Sequence, residues 1–217
     1  MLVTRPLPAE IDLLDLHRRA PARYPLLLES AAHGTAQGRW DLLMACNGES
    51  LSLDAAGIVR RHDGSIRGND FLSALDAEWR QHRIAGVEPR WPFRGGWALF
   101  LAYELAAQVE PILPLPKATG ALPVALALRC PAAVLRDHAT GECIAIAETD
   151  YATMLDDILI DIDAVNESNV SQTWHPPYAI EEDDPEQFTT GVTRILDYLS
   201  AGDVFQVNLS RGWRARF

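Results

Sequence analysis

The sequence predicts an α+β fold for this chain of 217 residues. Two kinds of pattern support that class: short apolar runs bounded by turn-forming residues, typical of strands, and longer segments with apolar residues at helical spacing. Hydrophobic residues make up 48% of the chain, which is enough for a real core. We divide the chain into an N-terminal domain (residues 1–166), an acidic linker (residues 167–184) and the start of a further domain (residues 185–217).

The charge balance excludes two classes of partner. The chain has thirty acidic residues and only nineteen lysines and arginines, so its formal net charge is −11. The resulting field repels phosphate groups, and we therefore expect neither nucleic acid nor an anionic membrane as a partner. No stretch reaches the roughly 18 apolar residues of a membrane span, and residues 1–10 lack a signal-peptide pattern, so we predict a cytoplasmic location.

The three cysteines are predicted to be reduced core residues. Cys46, Cys130 and Cys143 lie among apolar neighbours and show no CxxC spacing. The sequence also has no HExxH motif, no P-loop and no cluster of histidine and cysteine, so we predict no metal ligand in these residues.

The first half of the chain combines a short helix with several strands. Residues 11–19 have helical spacing and a basic last turn, which suits a helix C-terminus. Apolar runs bounded by turn residues predict strands at residues 24–30, 40–45, 51–53 and 58–59. Next, Asn69 or Asp70 is predicted to cap a helix whose apolar stripe ends at Trp79, and we assign Trp79 to the core.

The middle of the chain predicts a buried strand followed by antiparallel pairs. Gly95 and Gly96 precede residues 97–103, which are apolar enough to predict a fully buried strand. A short helix and a proline-rich surface segment follow. The remaining predictions are strands at residues 124–128, 132–135 and 142–147 and a helix at residues 154–165.

The last segment predicts a helix and then a strand. Asp184 is placed to cap the helix, Pro185 suits its first turn, and Gly202 suits its C-terminus. From residue 205 the period changes to two, which predicts a strand over residues 205–209 with one apolar side. Its other side carries uncharged hydrogen-bonding groups, namely Gln206, Asn208 and Ser210. Such a side is either solvated or lines a pocket for a polar ligand.

Residues 201–210 resemble the opening of the chorismate-binding domain in component I of aminodeoxychorismate synthase and anthranilate synthase. The resemblance implies two antiparallel sheets packed as a sandwich with peripheral helices, and a truncated chorismate-binding domain at residues 185–217. It also implies that Gln206, Asn208 and Ser210 border the substrate. In the related isochorismate and salicylate synthases, a lysine at the place of Gln206 acts as a base toward water. Glutamine cannot do so, which implies an amine-transferring branch.

A second resemblance concerns an effector site. Residues 27–30, followed by residues 39–41, resemble the family segment that surrounds a bound tryptophan. The residues implied to bind tryptophan are Leu28, Glu29, Ser30, Arg39 and Asp41. Anthranilate synthases usually carry serine at the place of Asp41, so this aspartate favours the aminodeoxychorismate branch.

Together these resemblances imply a function for the full-length enzyme, the amination of chorismate to 4-amino-4-deoxychorismate in para-aminobenzoate and folate biosynthesis. Ammonia would come from a glutamine amidotransferase subunit, component II, and Mg²⁺ would be the cofactor. The family's metal ligands and lysine nucleophile lie in later segments, so we predict no catalytic residue here and an inactive isolated chain. The alternatives are anthranilate synthase component I and a non-catalytic module that binds tryptophan or docks a partner.

Overall fold

The computed structural model describes residues 1–32, 34–35, 38–84, 90–166 and 174–217. The chain divides into two compact units, Met1–Asn169 and Val170–Phe217. Among the described residues, no helix combines the length and the apolar character that crossing a bilayer requires.

The first unit contains most of the helices and strands. In chain order they are β1 (Leu2–Leu7), α1 (Leu13–Arg19), β2 (Leu26–Leu28), β3 (Trp40–Ala45), β4 (Ser50–Leu53), β5 (Val59–Arg61), α2 (Phe71–His82), β6 (Gly96–Leu101), α3 (Ala106–Val109), β7 (Ala125–Cys130), β8 (Ala132–Asp137), β9 (Cys143–Glu148) and α4 (Thr153–Asn166).

These strands form two antiparallel sheets. The larger sheet has the order β1-β9-β8-β3-β2 and the smaller one the order β5-β4-β7-β6. In the larger sheet Trp40 pairs with Asp137 and Ala45 with Ala132. Pro131 separates β7 from β8, so the chain passes from one sheet to the other at this residue. The predicted α+β class with antiparallel sheets is confirmed.

Helices α1 and α4 cover one face of the larger sheet. Successive residues of a strand point to opposite faces, so Val134 packs under the helices while Leu135 packs on the other side. Leu16 of α1 and Ile158 of α4 are fully buried in this helix-covered core. The predicted helices at residues 11–19 and 154–165 are therefore confirmed as elements that build the core.

The smaller sheet has its own core, which helix α2 closes. Phe71, the first residue of α2, is fully buried against Leu51, Leu53 and Val59. Asp70 caps this helix by accepting a hydrogen bond from the backbone N–H of Ser73 at 2.9 Å, which confirms the predicted cap. A separate cluster of Met44, Ala98 and Cys130 joins residues from both sheets.

Two burial predictions in the first unit are wrong. Residues 97–103 were expected to be buried, yet Leu99, Phe100 and Leu101 are 42–49% exposed. β6 is an edge strand of the smaller sheet, and edge strands are covered by neighbours on fewer sides. Trp79 is 46% exposed because helix α2 buries Phe71 and Glu78, so that Trp79 lies at the margin of the buried stripe.

The second unit consists of β10 (Ala179–Glu182), α5 (Pro185–Ala201) and β11 (Trp213–Arg216). The predicted ends of the helix are confirmed, because Asp184 accepts from the N–H of Glu186 at 2.9 Å and Gly202 has a φ of +78°. β10 and β11 pair antiparallel, with Glu182 opposite Trp213. β10 thus lies within the segment that was predicted to be a linker.

The predicted strand at residues 205–209 is wrong. These residues form no ladder, and Phe205 is fully exposed. The strand that does form is β11, whose partner β10 is strongly acidic. Three ion pairs lie along this strand pair: Glu181 with Arg216 (2.7 Å), Glu182 with Arg211 (2.9 Å) and Asp183 with Arg214 (4.0 Å). The two paired strands therefore carry complementary charge.

The helix-covered core predicts a contrast between two isoleucines of α4. Ile158→Ala should lower the free energy of unfolding by about 2–5 kcal/mol, because Ile158 is fully buried and its loss leaves a cavity. Ile160→Ala, at a position that is 64% exposed, should change it by no more than about 0.5 kcal/mol. Urea denaturation of both variants measures the difference, and equal losses would contradict the observed packing of α4.

Candidate functional site

A buried carboxylate lies where β2 ends beside β3. Asp41 is 3% exposed although it is charged, and such a group requires partners. The backbone N–H of Ser30 donates to its Oδ1 at 3.4 Å, and Nε2 of His138 lies 2.8 Å from its Oδ2. His138 lies in the turn after β8, yet its side chain is only 26% exposed and holds the carboxylate. The structure thus brings Ser30 and Asp41 together.

Arg39, just before β3, binds a different carboxylate. Its Nε donates to Oδ1 of Asp137 at 2.9 Å and its Nη2 donates to Oδ2 at 2.6 Å. This bidentate geometry is the strongest form of an arginine–carboxylate pair. The hydrogen bond from Arg39 lowers the pKa of Asp137 to about 2, and the backbone N–H of Ala139 adds to that effect. Arg39 also stacks over Trp40, with its Cζ 4.9 Å from the ring centroid.

A cavity of about 430 Å³ opens beside these ion pairs. Its described lining residues are Gly34, Thr35, Gly38, Arg39, His138 and Ala139. Leu28 and Glu29 are exposed and do not belong to this lining. Of the five residues predicted to bind tryptophan, Arg39 therefore borders the cavity, and Asp41 and Ser30 reach it through His138.

This cluster has the chemistry of a zwitterion site. Carboxylates suit an ammonium group, while a guanidinium, an imidazole and backbone amides suit a carboxylate. The indole of Trp40 packs edge-on against Trp91, with the ring centroids 6.0 Å apart. The cluster contains no activated nucleophile among the described groups.

The residues predicted to bind substrate belong to the second unit. Gln206, Asn208 and Ser210 are exposed in an extended segment that follows the C-terminus of α5. The segment runs back along the helix: a Cβ added at Gly191 would lie 2.9 Å from Cδ2 of Leu209. Leu209 therefore packs on Gly191, while the three hydrogen-bonding side chains remain accessible.

Sequence reasoning missed a buried ion pair in the first unit. The side chain of Arg129 is fully buried, its Nη2 donates to Oε2 of Glu148, and its Nη1 donates to the carbonyl of Gly96 at 3.0 Å. Gly95 must be glycine here, because its φ is +94° and an added Cβ would lie 2.1 Å from Oε1 of Glu148. An arginine inside an otherwise apolar strand was the only signal in the sequence.

A second cavity, of about 320 Å³, lies beside this pair. Glu148, Gly95 and Gly96 form its inner wall, and the aromatic rings of Phe93 and Trp97 line it. His82, Arg83 and Arg94 also line it.

Within the described ranges, no three histidine, cysteine, aspartate or glutamate side chains come together in a way that could hold a metal ion. These residues therefore do not fit the Mg²⁺ that the family resemblance implies.

The Arg39–Asp137 pair predicts a specific dependence of stability on pH. Because folding lowers the pKa of Asp137 to about 2, this carboxylate stabilises the fold above its unfolded pKa of about 3.9 and loses that contribution as the pH falls toward 2. Asp137→Asn should therefore be less stable than the parent at pH 7, and the gap should narrow between pH 4 and pH 2. Urea denaturation across this range measures it.

The exposed Asp157 supplies the control for that experiment. Asp157→Asn should have nearly the same free energy of unfolding as the parent at every pH measured. A gap for Asp137→Asn that does not change with pH would contradict the role assigned to the ion pair.

Comparison with known proteins places the chain in a family. The model of the chorismate binding enzyme family matches residues 26–217. The "Anthranilate synthase component I-like protein" of Synechocystis sp. (strain ATCC 27184 / PCC 6803 / Kazusa) is 33% identical over 127 residues, which cover 55% of this chain and 24% of that protein.

Among solved structures, anthranilate synthase component I from Streptococcus pneumoniae TIGR4 superposes with a TM-score of 0.56 at 18% identity. The match covers 82% of this chain and 41% of that chain, and at this identity it establishes likeness of fold alone. The chain thus spans less than half the length of either relative. Because the family model matches most of its residues, this chain belongs to the chorismate binding enzyme family.

Proposed function

We propose that this chain is the N-terminal portion of aminodeoxychorismate synthase component I, which replaces the 4-hydroxyl of chorismate by an amino group. Two residues support it: Gln206 favours amination over the addition of water, and Asp41, where anthranilate synthases usually carry serine, favours the aminodeoxychorismate branch. A neutral amide cannot take a proton from water, so a site with Gln206 is unsuited to the water-adding reactions of the family. Ammonia needs no such base to act as a nucleophile.

The environment of Gln206 supports a role in holding the substrate. Gly202 ends α5 in a left-handed conformation, and the backbone N–H of Asp203 bonds to the carbonyl of Tyr198 at 3.0 Å, so the chain turns sharply there. The following segment is anchored by Leu209, which leaves Gln206 and its polar neighbours accessible to a ligand. Amide and hydroxyl groups of this kind can donate to carboxylates and accept from hydroxyls.

The proposed enzyme requires groups beyond the described residues. Ammonia would come from a glutamine amidotransferase subunit, and the ligands of Mg²⁺ would come from other segments of the full-length enzyme, where the ion would neutralise the substrate carboxylate. The 217-residue chain should accordingly be inactive alone with chorismate, ammonia and Mg²⁺. Product at an appreciable rate in that assay would refute this division of roles.

Product analysis of the full-length enzyme tests the proposal. With chorismate, Mg²⁺ and ammonium, it should form 4-amino-4-deoxychorismate, which a lyase converts to para-aminobenzoate, and no fluorescent anthranilate. Gln206→Lys should lower the amination rate by about 100-fold or more and divert chorismate to a hydroxylated product. Gln187→Lys, on the exposed surface of α5, should have no effect. Anthranilate as the product would assign the enzyme to the other branch.

A second candidate function rests on Asp41 and its partners. We propose that the cluster formed by Ser30, Asp41 and His138 binds the backbone groups of tryptophan, either as an effector or as a structural ligand. Its support is a buried carboxylate with the bidentate Arg39–Asp137 pair beside a cavity of about 430 Å³. In this site Glu29, which is exposed, would be free to approach the ammonium group.

Calorimetric titration of the 217-residue chain tests this second function. L-tryptophan should release heat, and indole-3-propionate, which lacks the ammonium group, should not. Asp41→Asn should weaken binding about 10-fold or more, because a charge-assisted hydrogen bond is lost. Asp157→Asn is the control and should bind like the parent. An absence of heat at millimolar tryptophan would remove this candidate.

A further inference from the structure

Two thiols that are distant in sequence lie in contact. Sγ of Cys46 is 3.1 Å from Sγ of Cys130, across a separation of 84 residues. Cys46 follows the last residue of β3 in the larger sheet, and Cys130 is the last residue of β7 in the smaller sheet. A bond between them would join the two sheets.

Backbone hydrogen bonds hold the two cysteine-bearing segments side by side. The N–H of Asn47 donates to the carbonyl of Arg129 at 3.3 Å, and the N–H of Arg129 donates to the carbonyl of Glu49 at 2.9 Å. The chain segments that carry the two cysteines are therefore hydrogen-bonded neighbours. A disulfide has an S–S distance of about 2.0 Å, so the sulfurs need to approach by only about 1 Å, which a small side-chain rotation supplies.

We propose that Cys46 and Cys130 form an oxidisable dithiol, which a peroxide converts into a disulfide that links the two sheets. Neither the family assignment nor the proposed function supplies this site, and the inference does not depend on them. The third cysteine lacks this arrangement. Cys143 begins β9 and is buried in the core under helices α1 and α4.

Exposure assigns the order of the two steps. Cys46 is partly exposed, whereas Cys130 is fully buried, so peroxide reaches Cys46 first. The Cys46 thiolate attacks one peroxide oxygen, the O–O bond breaks, and a sulfenic acid and hydroxide form. The Cys130 thiolate then attacks the sulfur of Cys46 and displaces a second hydroxide. With the two thiol protons included, two thiols and one hydrogen peroxide give one disulfide and two waters.

The electrostatics of the pair set the relative rates of the two steps. Its hydrogen bond to Cys130 and its burial raise the pKa of Cys46, which should make the first step slow at neutral pH and faster in mild alkali. The same hydrogen bond lowers the pKa of Cys130, and the nearby Arg129 adds to the effect. The buried partner is thus suited to act as the thiolate that resolves the sulfenic acid.

The cross-link should stabilise the first unit. It closes a loop of more than 80 residues, and closing a loop of that length removes much of the conformational freedom of the unfolded chain. For a chain of this size we expect a rise of about 5–15 °C in the Tm of the oxidised protein, reversed by dithiothreitol.

Treatment of the 217-residue chain with hydrogen peroxide at pH 8 tests the proposal. After oxidation, titration under denaturing conditions should detect one free thiol instead of three, and the intact mass should be lower by two hydrogen atoms. Non-reducing peptide mapping should join the peptides that contain Cys46 and Cys130. The Tm should rise as stated, and dithiothreitol should restore all three thiols.

Variants separate this pair from the other cysteine. Cys143→Ala should still form the cross-link and still show the rise in Tm, whereas Cys46→Ser should show neither. Because Cys46 is partly exposed, we expect the Cys46→Ser variant to fold. Under reducing conditions its Tm should equal that of the parent protein. Three results would overturn the proposal. They are oxidation of Cys46 that stops at a sulfinic acid, a disulfide that includes Cys143, and three thiols that remain intact after excess peroxide.

Discussion

The buried ion pair between Arg129 and Glu148 is the interaction on which the first unit depends. Arg129 lies in β7 of the smaller sheet and Glu148 ends β9 of the larger sheet, so the pair ties the two sheets together. Removing a guanidinium from water costs several kcal/mol, which only a well-placed carboxylate and carbonyl can offset. The rings of Trp97 and Tyr151 lie 5.8 Å and 5.6 Å from the guanidinium carbon, within the range of cation–π attraction.

Several other features follow from this junction. Gly95 has to be glycine because Glu148 occupies the space of its side chain. The chain crosses between the sheets at Pro131, two residues after Arg129, and the thiols of Cys46 and Cys130 meet beside the same crossing. An ion pair and a potential covalent bond thus act on one connection. Oxidation would add a covalent bond at a place where the ion pair already joins the two sheets.

Local signals in the sequence predicted the elements of this fold well. The helix caps at Asp70 and Asp184 and the stop at Gly202 depend on residues within a few positions, and each is confirmed. An apolar run bounded by turn residues located the strand at residues 40–45 correctly. The missed strand β1 contains a proline, which an edge strand accommodates because one flank of its backbone needs no ladder partner.

The failures all involve partners that are distant in sequence. His138 binds Asp41 only because β3 and β8 are paired, and no spacing in the sequence indicates that pairing. Likewise, the arginines of β11 meet an acidic strand some 30 residues earlier. Alternating apolar residues predicted a strand at residues 205–209, whereas the strand that forms is β11, beside the acidic residues of β10. The prediction that β6 is buried failed for the same reason, because the exposure of this strand depends on its position at the edge of the sheet.

The accessibility of Gln206 has a physical consequence for the proposed reaction. A hydrogen bond between an exposed amide and an anion replaces bonds that both groups already make to water, so its net contribution is only about 0.5–1.5 kcal/mol. Selective binding of a dicarboxylate such as chorismate therefore requires that water be excluded from this segment. Phe205, fully exposed, and Val207, 38% exposed, provide apolar surface for whatever encloses Gln206. Burying Phe205 would contribute roughly 1.5–3 kcal/mol, and Val207, which is already largely covered, would contribute less. The same event would thus bury the apolar side chains and strengthen the hydrogen bonds that hold the substrate.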